Sequence, residues 1–228
     1  MKIPLFPTVN SVVFPNSSSV YMIKREFSIN AVKESQAKYG SQIVITSQKD
    51  MATERPGPDQ VYRTACLCEV TNVIELPDRS MKFAATAKVR FRIDDIIDAD
   101  SVFYAIGETL IDTFESTPKL LARKEVIVER LKRLNLQLEE EDKSLLTHLF
   151  DAAKERDFVW SICQLLRHEQ IQHRSLSLDE INRGVSILDA LTVDEKKKVN
   201  SGMARMQEIL ESSDLVKSLQ LIENILGI

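Results

Sequence analysis

The sequence predicts an α+β protein, with strands in its first half and helices in its second. Three observations carry that prediction. Ten of the fourteen aromatics and six of the seven prolines lie within residues 1–113, a composition that favours strands and turns. Residues 114–228 hold one proline, Pro118, and are rich in Leu, Glu, Lys and Arg, as packed helices are. Between Met81 and Ile93 every second residue is apolar, the period of a strand with one face in a core and the other in water. Strands followed by helices suggest segregated α+β or two domains. The composition change divides the chain into a β-rich unit, 1–113, and a helical bundle, 114–228.

In the first unit, Val20 to Lys24 reads as a short strand. Phe27 to Tyr39 reads as a helix with Ile29, Val32, Gln36 and Tyr39 along one side; Gly40 stands where a helix end favours glycine. Ile43-Val44-Ile45 is a short buried strand. Arg55-Pro56-Gly57-Pro58-Asp59 makes Met51 to Gln60 a loop. Val61 to Leu76 is extended, Pro77-Asp78-Arg79-Ser80 is a turn, and Met81 to Ile93 returns antiparallel, a long hairpin. Phe103 to Leu110 is a further strand. So long a hairpin needs its apolar face covered, which predicts a closed or nearly closed β-structure. Lys82, Lys88, Arg90 and Arg92 form a cationic row. It reads as a solvated strand face that blunts edge pairing; the alternative is a contact for phosphate or acidic peptide.

In the second unit, Thr117 is the expected N-cap with Pro118 at the first helical position. That helix carries Leu120, Leu121, Ile127, Leu131 and Leu134 at helical spacing. Glu139 to Ala153 and Phe158 to Leu166 read as further helices. Ser177 with Glu180 and Thr192 with Glu195 fit capping boxes. Ser213 is the expected cap of a last helix bearing Leu215, Leu219, Ile222 and Leu226. These stripes read as bundle core.

Several chemistries are missing from the sequence. With six glycines in the chain and no G-x-x-x-x-G-K-[ST], a P-loop is absent. H-E-x-x-H and G-x-S-x-G are absent too. Cys66 and Cys68 form a C-x-C pair on one strand face and read as core, because zinc needs four ligands. His168 and His173 are five apart, poor spacing for one helix face. No catalytic residue, metal site or cofactor is expected. The three cysteines suit a reducing compartment, no stretch reaches the length of a membrane span, and the opening residues lack a signal-peptide core; a cytoplasmic location is expected. The net charge of −4 argues against a basic nucleic-acid stripe.

The order of features resembles the N-terminal, substrate-binding domain of the Lon family of ATP-dependent proteases. Ile3-Pro4-Leu5-Phe6-Pro7 followed by Val12-Val13-Phe14-Pro15 is similar to that family's start. Arg25-Glu26-Phe27-Ser28-Ile29-Asn30-Ala31-Val32 resembles its first helix, and Ile43 to Asp50 the strand that ends in its Gln-Lys pair. Leu76-Pro77-Asp78 falls at its hairpin turn, and Arg90-Phe91-Arg92-Ile93 closes the hairpin as in the family. Leu191-Thr192 with Glu195-Lys196 and the final helix resemble the end of its N-terminal region. Arg79 and Ser80 stand where the family's turn usually continues with Gly, and Ala87 replaces a Gly before the closing arginines.

The resemblance implies a PUA-like β pseudobarrel followed by a helical bundle. It implies a non-catalytic module that binds unfolded or partly folded polypeptide, in protein quality control. A AAA+ protease, or a second copy of the chain, is the implied assembly partner. The chain is expected to be a free-standing gene product. The alternatives are the regulatory or assembly fragment of a full-length Lon protease, and a PUA-like RNA-binding module. A binder of unfolded chains needs exposed apolar surface. Phe6 and Phe14, in the Pro-rich opening without clean alternation, and Met22, on the strand after it, are the candidate substrate-binding residues; the competing reading places all three in the barrel core.

Overall fold

The structure is a computed structural model that describes residues 1–9, 11–99, 101–111, 117–134, 157–163 and 193–226. The strands are β1 (Lys2–Thr8), β2 (Ser18–Ile23), β3 (Gln42–Ser47), β4 (Thr64–Glu75), β5 (Met81–Ala99) and β6 (Val102–Thr109). Helix α1 (Glu26–Lys38) lies between β2 and β3, and a short 3-10 turn, Pro58–Gln60, precedes β4. The later helices are α2 (Pro118–Leu134), α3 (157–163), α4 (Val193–Glu211) and α5 (Leu215–Leu226). The predicted helix at Glu139–Ala153, all three histidines, the Ser177 capping box and Thr192 lie outside the described residues. Among the described residues no helix is long and apolar enough to cross a membrane.

The sheet order is β2-β5-β4-β3-β1-β6, and β5 also pairs with β6. Pairing therefore returns on itself through β5, β4, β3, β1 and β6, with β2 added to the outer edge of β5. The 19 residues of β5 make this possible. Its first part, Met81 to Thr86, lies between β2 and β4, and Phe91 to Ala99 pairs with β6.

Strand β1 was not legible as a strand because Pro4 and Pro7 interrupt its pattern. Its pairing explains them. Lys2 to Leu5 pairs with β6, and Leu5 to Thr8 pairs in parallel with β3. Each proline thus stands where β1 has one neighbour, so its missing N–H removes no ladder bond on a second side.

The hairpin is present, but its single apolar face is not. The register passes from Cys68↔Ala87 to Leu67↔Val89, which leaves Lys88 as an extra residue in a bulge. One extra residue exchanges the two faces. Met81, Phe83, Ala85 and Ala87 enter one core cluster with Cys66, Cys68, Ile43 and Ile45. Phe91 and Ile93 enter another with Ile3, Leu5, Val44 and Leu67, on the opposite face of the sheet. The strand also runs six residues beyond Ile93, through a second bulge at Ile93/Asp95.

The second bulge has a close-packing cause. A Cβ on Gly107 of β6 would lie 1.8 Å from Arg92 O and 2.8 Å from the Phe91 ring. Only glycine lets the two strands approach there. Gly107→Ala is expected to cost about 2 kcal/mol through overpacking, read as an earlier thermal melt. An unchanged melt would show that β5 and β6 separate without loss.

Helix α1 buries Phe27, Ser28, Ala31, Val32 and Ser35. This corrects the expected stripe: Gln36 is exposed, Ile29 and Tyr39 are half-buried, and small residues line the contact instead. Ser35 Oγ donates to its own helix at Val32 O, 2.8 Å, so its burial costs little polar energy. Gly40 has φ +58, as a glycine beyond a helix end should. Arg79 has φ +66 in the hairpin turn, a left-handed conformation that glycine adopts most readily. The loop after β3 is tied down by Gln48, which is buried. Its amide donates to Asp50 O at 2.6 Å and Thr53 O at 3.0 Å and accepts from Arg25 at 2.9 Å.

Thr117 caps α2, its Oγ1 accepting from Leu120 N–H at 3.3 Å. The last helix is capped by Asp214 rather than Ser213: Asp214 Oδ1 accepts from Val216 N–H at 2.8 Å and Lys217 N–H at 3.3 Å. A carboxylate at a helix N-terminus also meets the positive end of the helix dipole.

The helices share a core with the strands. Phe14 faces Trp160, ring centroids 5.6 Å apart. Met206, Leu210, Leu215, Leu219 and Ile222 join the same cluster. Polar ties cross the same boundary. Gln207 Nε2 donates to Thr64 O at 2.7 Å, and Asn16 Nδ2 to Asp157 Oδ1 at 2.9 Å. Arg90 is the main correction to the cationic row. It is buried, with its guanidinium donating to Leu210 O at 2.9 Å and Ser212 O at 3.2 Å. Lys82, Lys88 and Arg92 are exposed.

Candidate functional site

One sheet face stands out in solvent. It is built by β2, the first part of β5 and the second part of β4. Met22 pairs with Lys82 and Lys82 with Ile74; Val20 pairs with Ala84 and Ala84 with Thr71; Ser18 pairs with Thr86 and Thr86 with Glu69. Because side chains alternate along a strand, these three rows share a face. Val20 is 64% exposed, Met22 65% and Ile74 53%. They are the large apolar side chains of the face, and Ala84 lies half-buried between them.

Their neighbours on the other face explain why they cannot turn inward. Tyr21 stacks on Phe83 at 5.2 Å and meets Phe6 edge-on at 5.3 Å. Ile23 is buried. With Tyr21 and Ile23 facing the core, the period of two sends Val20 and Met22 outward.

Polar groups rim the patch. Lys88 pairs with Glu69 at 2.8 Å. The hairpin turn closes one end. There Asp78 Oδ1 accepts from the Ser80 hydroxyl at 2.5 Å and its amide at 3.1 Å. Those bonds, with Lys24 nearby, hold the Asp78 carboxyl below its ordinary range.

Of the three candidates read from the sequence, the structure brings only Met22 to this surface. Phe6 is 5% exposed and packs on Tyr21 and Phe83; Phe14 is fully buried against Trp160. Val20 and Ile74 were missed. Val20 to Ile23 is apolar at four successive positions, so periodicity gave no inside and outside. Ile74 follows an irregularity between Thr71 and Ile74 in which Asn72 takes φ +51; no count along β4 could have placed it.

The remaining chemistry is sparse. Cys66 and Cys68 are buried, and burial pushes the Cys68 thiol well above its ordinary value. A thiol that stays protonated is no nucleophile. Among the described residues no three of His, Cys, Asp and Glu are grouped to hold a metal ion.

A family profile for the ATP-dependent protease La (LON) substrate-binding domain matches residues 2–227. Among curated relatives, the Lon protease of Halothermothrix orenii is 28% identical over 194 residues, which cover 82% of this chain and 25% of that protein. The Lon protease of Nitratidesulfovibrio vulgaris is 24% identical over 233 residues, 96% of this chain and 28% of that protein. The chain thus spans about a quarter of the length of these relatives. Among solved structures, the N-terminal domain of Mycobacterium avium complex Lon protease aligns with a TM-score of 0.66 at 11% identity, covering all of this chain and 98% of that one. A Lon N-terminal domain protein from Xanthomonas campestris aligns with a TM-score of 0.58 at 12% identity, covering 98% of each chain.

Proposed function

Because the chain belongs to the ATP-dependent protease La (LON) substrate-binding domain family, we propose that it binds unfolded or partly folded polypeptide on the exposed face of β2, β5 and β4, with no catalysis of its own. The observation that carries this reading is the cluster of Val20, Met22 and Ile74, each more than half exposed on one sheet face. Exposed apolar groups rimmed by polar ones mark a recognition surface. Methionine suits a surface that must accept many sequences, because its side chain is flexible and polarizable.

The β-rich unit, 1–113, with the PUA-like pseudobarrel that the family resemblance implies, supplies the surface. The helical bundle, 114–228, supplies its support and the contact to a AAA+ protease that consumes the bound chain. The exposed cations support polypeptide over nucleic acid as the ligand. Lys88 and Arg92 are paired with Glu69, Asp94 and Glu108 at 2.8–2.9 Å, so they form no basic stripe.

The test is titration of the chain with a labelled, permanently unfolded polypeptide. Wild type is expected to bind in the tens of micromolar, and Met22→Ser with Ile74→Ser to weaken binding at least fivefold. These sites are exposed, so the melt should stay within about 0.5 kcal/mol of wild type. Equal binding by the double variant would remove the function from this face.

A further inference from the structure

Strand β2 offers more than side chains. It pairs with β5 along one edge, and no described strand pairs with its other edge. The ladder's phase is fixed where it begins: Ala87 N–H donates to Ser17 O at 2.8 Å, and Asn16 N–H donates to Ala87 O at 2.9 Å. Antiparallel ladders alternate bonded and non-bonded pairs. With Ser19 opposite Ala85 and Tyr21 opposite Phe83, those residues bond to β5. Ser18, Val20 and Met22 then turn their N–H and C=O groups outward. The 3.0 Å contact of Ser18 Oγ with Thr86 Oγ1 agrees, since side chains come closest in non-bonded pairs.

An edge of this kind is usually guarded by a charge, a proline or a bulge. Ser18 to Ile23 carries neither charge nor proline, in a chain that is 28% charged. Its guards stand outside it, Pro15 before and Lys24 and Arg25 after. The residues that turn their backbone outward are also the ones whose side chains are exposed, Val20 at 64% and Met22 at 65%.

We propose that an extended segment of client polypeptide adds to this edge as a further strand. Its main chain bonds to Ser18, Val20 and Met22, and its alternate side chains lie beside Val20 and Met22. The inference rests on the polypeptide-binding reading above and states how the contact is made. Main-chain bonds are blind to sequence, which is what a reader of many unfolded clients needs. A second copy of this chain is the wrong occupant on size. Six edge residues fall far short of the ~20–30 residues a side of a stable protein interface. They suit weak, reversible capture. Lys82, opposite Met22 and without an ion pair among the described residues, favours an acidic over a basic client side chain beside it.

The experiment uses a labelled eight-residue peptide of alternating Val and Thr, and two isomers of it N-methylated at the odd or at the even positions, so that one edge or the other cannot donate. All three are titrated into wild type, Val20→Pro and Val20→Thr. Val20→Pro removes an outward donor that β5 does not use, a place where an edge strand accepts proline. N-methylation on the pairing edge and Val20→Pro are each expected to weaken binding at least tenfold, with Val20→Thr within threefold of wild type. If Val20→Pro does not fold, the three peptides on wild type decide alone. Equal binding of both N-methylated isomers and the parent would overturn strand addition. It would leave polypeptide binding intact wherever the unfolded protein still binds and responds to Met22→Ser. Loss of a concentration-dependent dimer in Val20→Pro, with no competition by the peptide, would make a second copy the occupant and also overturn the proposal. Failure of the unfolded protein itself to bind wild type would instead remove the underlying function.

Discussion

Arg90→Ala is expected to cost about 3 kcal/mol and to lower the melting temperature by roughly 6–12 °C, at about 2–4 °C per kcal/mol for a chain of this size. The guanidinium is buried beneath Trp160, 5.9 Å from its ring centroid. It donates to the carbonyls of Leu210 and Ser212, at the end of α4. The last carbonyls of a helix have no partner within it and carry the negative end of its dipole. A buried cation there satisfies two acceptors, and truncation removes both bonds. Both bonds come from Nη1, so Arg90→Lys, whose ammonium also has several donors, should recover part of the loss and lose the planar packing under Trp160. Lys88→Ala and Arg92→Ala are the controls. Their ion pairs are about half exposed, and such pairs contribute about 0–1 kcal/mol. If Arg90→Ala melted with these controls, the buried guanidinium would contribute no more than an exposed ion pair.

How much of this was legible beforehand varies with the physical cause. The hairpin, its turn and, among the described residues, the helix that begins after Thr117 and the last helix follow from local patterns, and those patterns survive folding. What failed was every inference that needed a count across an irregularity. The alternation from Met81 to Ile93 continues unbroken in sequence, yet Lys88 shifts it from one face of the sheet to the other. Arg90 therefore changes from a solvated cation to a buried tie. A bulge leaves no residue-type mark here, since Lys88 is an ordinary exposed strand residue. Strand β1 was hidden for the opposite reason. Its prolines look like breaks until the handover from β6 to β3 at Leu5 is known, and both partners are remote in sequence. On α1 the buried stripe of Ser28, Ala31 and Ser35 is invisible to a hydrophobicity count.

The candidate site divides along the same line. Met22 could be named because it lies on a short apolar strand. Whether it faces in or out depends on Tyr21, whose partners Phe6 and Phe83 come from two other strands. Phe6 and Phe14 had no alternation around them to place them, and both turn out to be buried by residues far along the chain.

Phe14→Ala is expected to show the largest loss of stability, about 3–5 kcal/mol. Phe14 has no exposed surface. Its ring lies 5.6 Å from that of Trp160 at an interplanar angle of 30°, inside the cluster that holds the strands to the helices. Removing the ring leaves a cavity whose walls belong to different parts of the chain, and close-packed interiors relax into such a gap only in part. Trp160 is the single tryptophan of the sequence, so its fluorescence reports this contact directly. The emission of Phe14→Ala should change at temperatures where the sheet is still folded by circular dichroism. Binding separates the roles. Well below its own midpoint, Phe14→Ala should bind unfolded polypeptide within about twofold of wild type, because the face that carries Val20, Met22 and Ile74 does not include it. Met22→Ala should do the reverse, melting within about 0.5 kcal/mol of wild type while binding more weakly. Weakened binding by a fully folded Phe14→Ala, with an unchanged melt and unchanged tryptophan emission, would return Phe14 to the recognition surface and contradict its burial. An early melt with intact binding would place the ring where the structure has it, as the support on which the exposed strand is held.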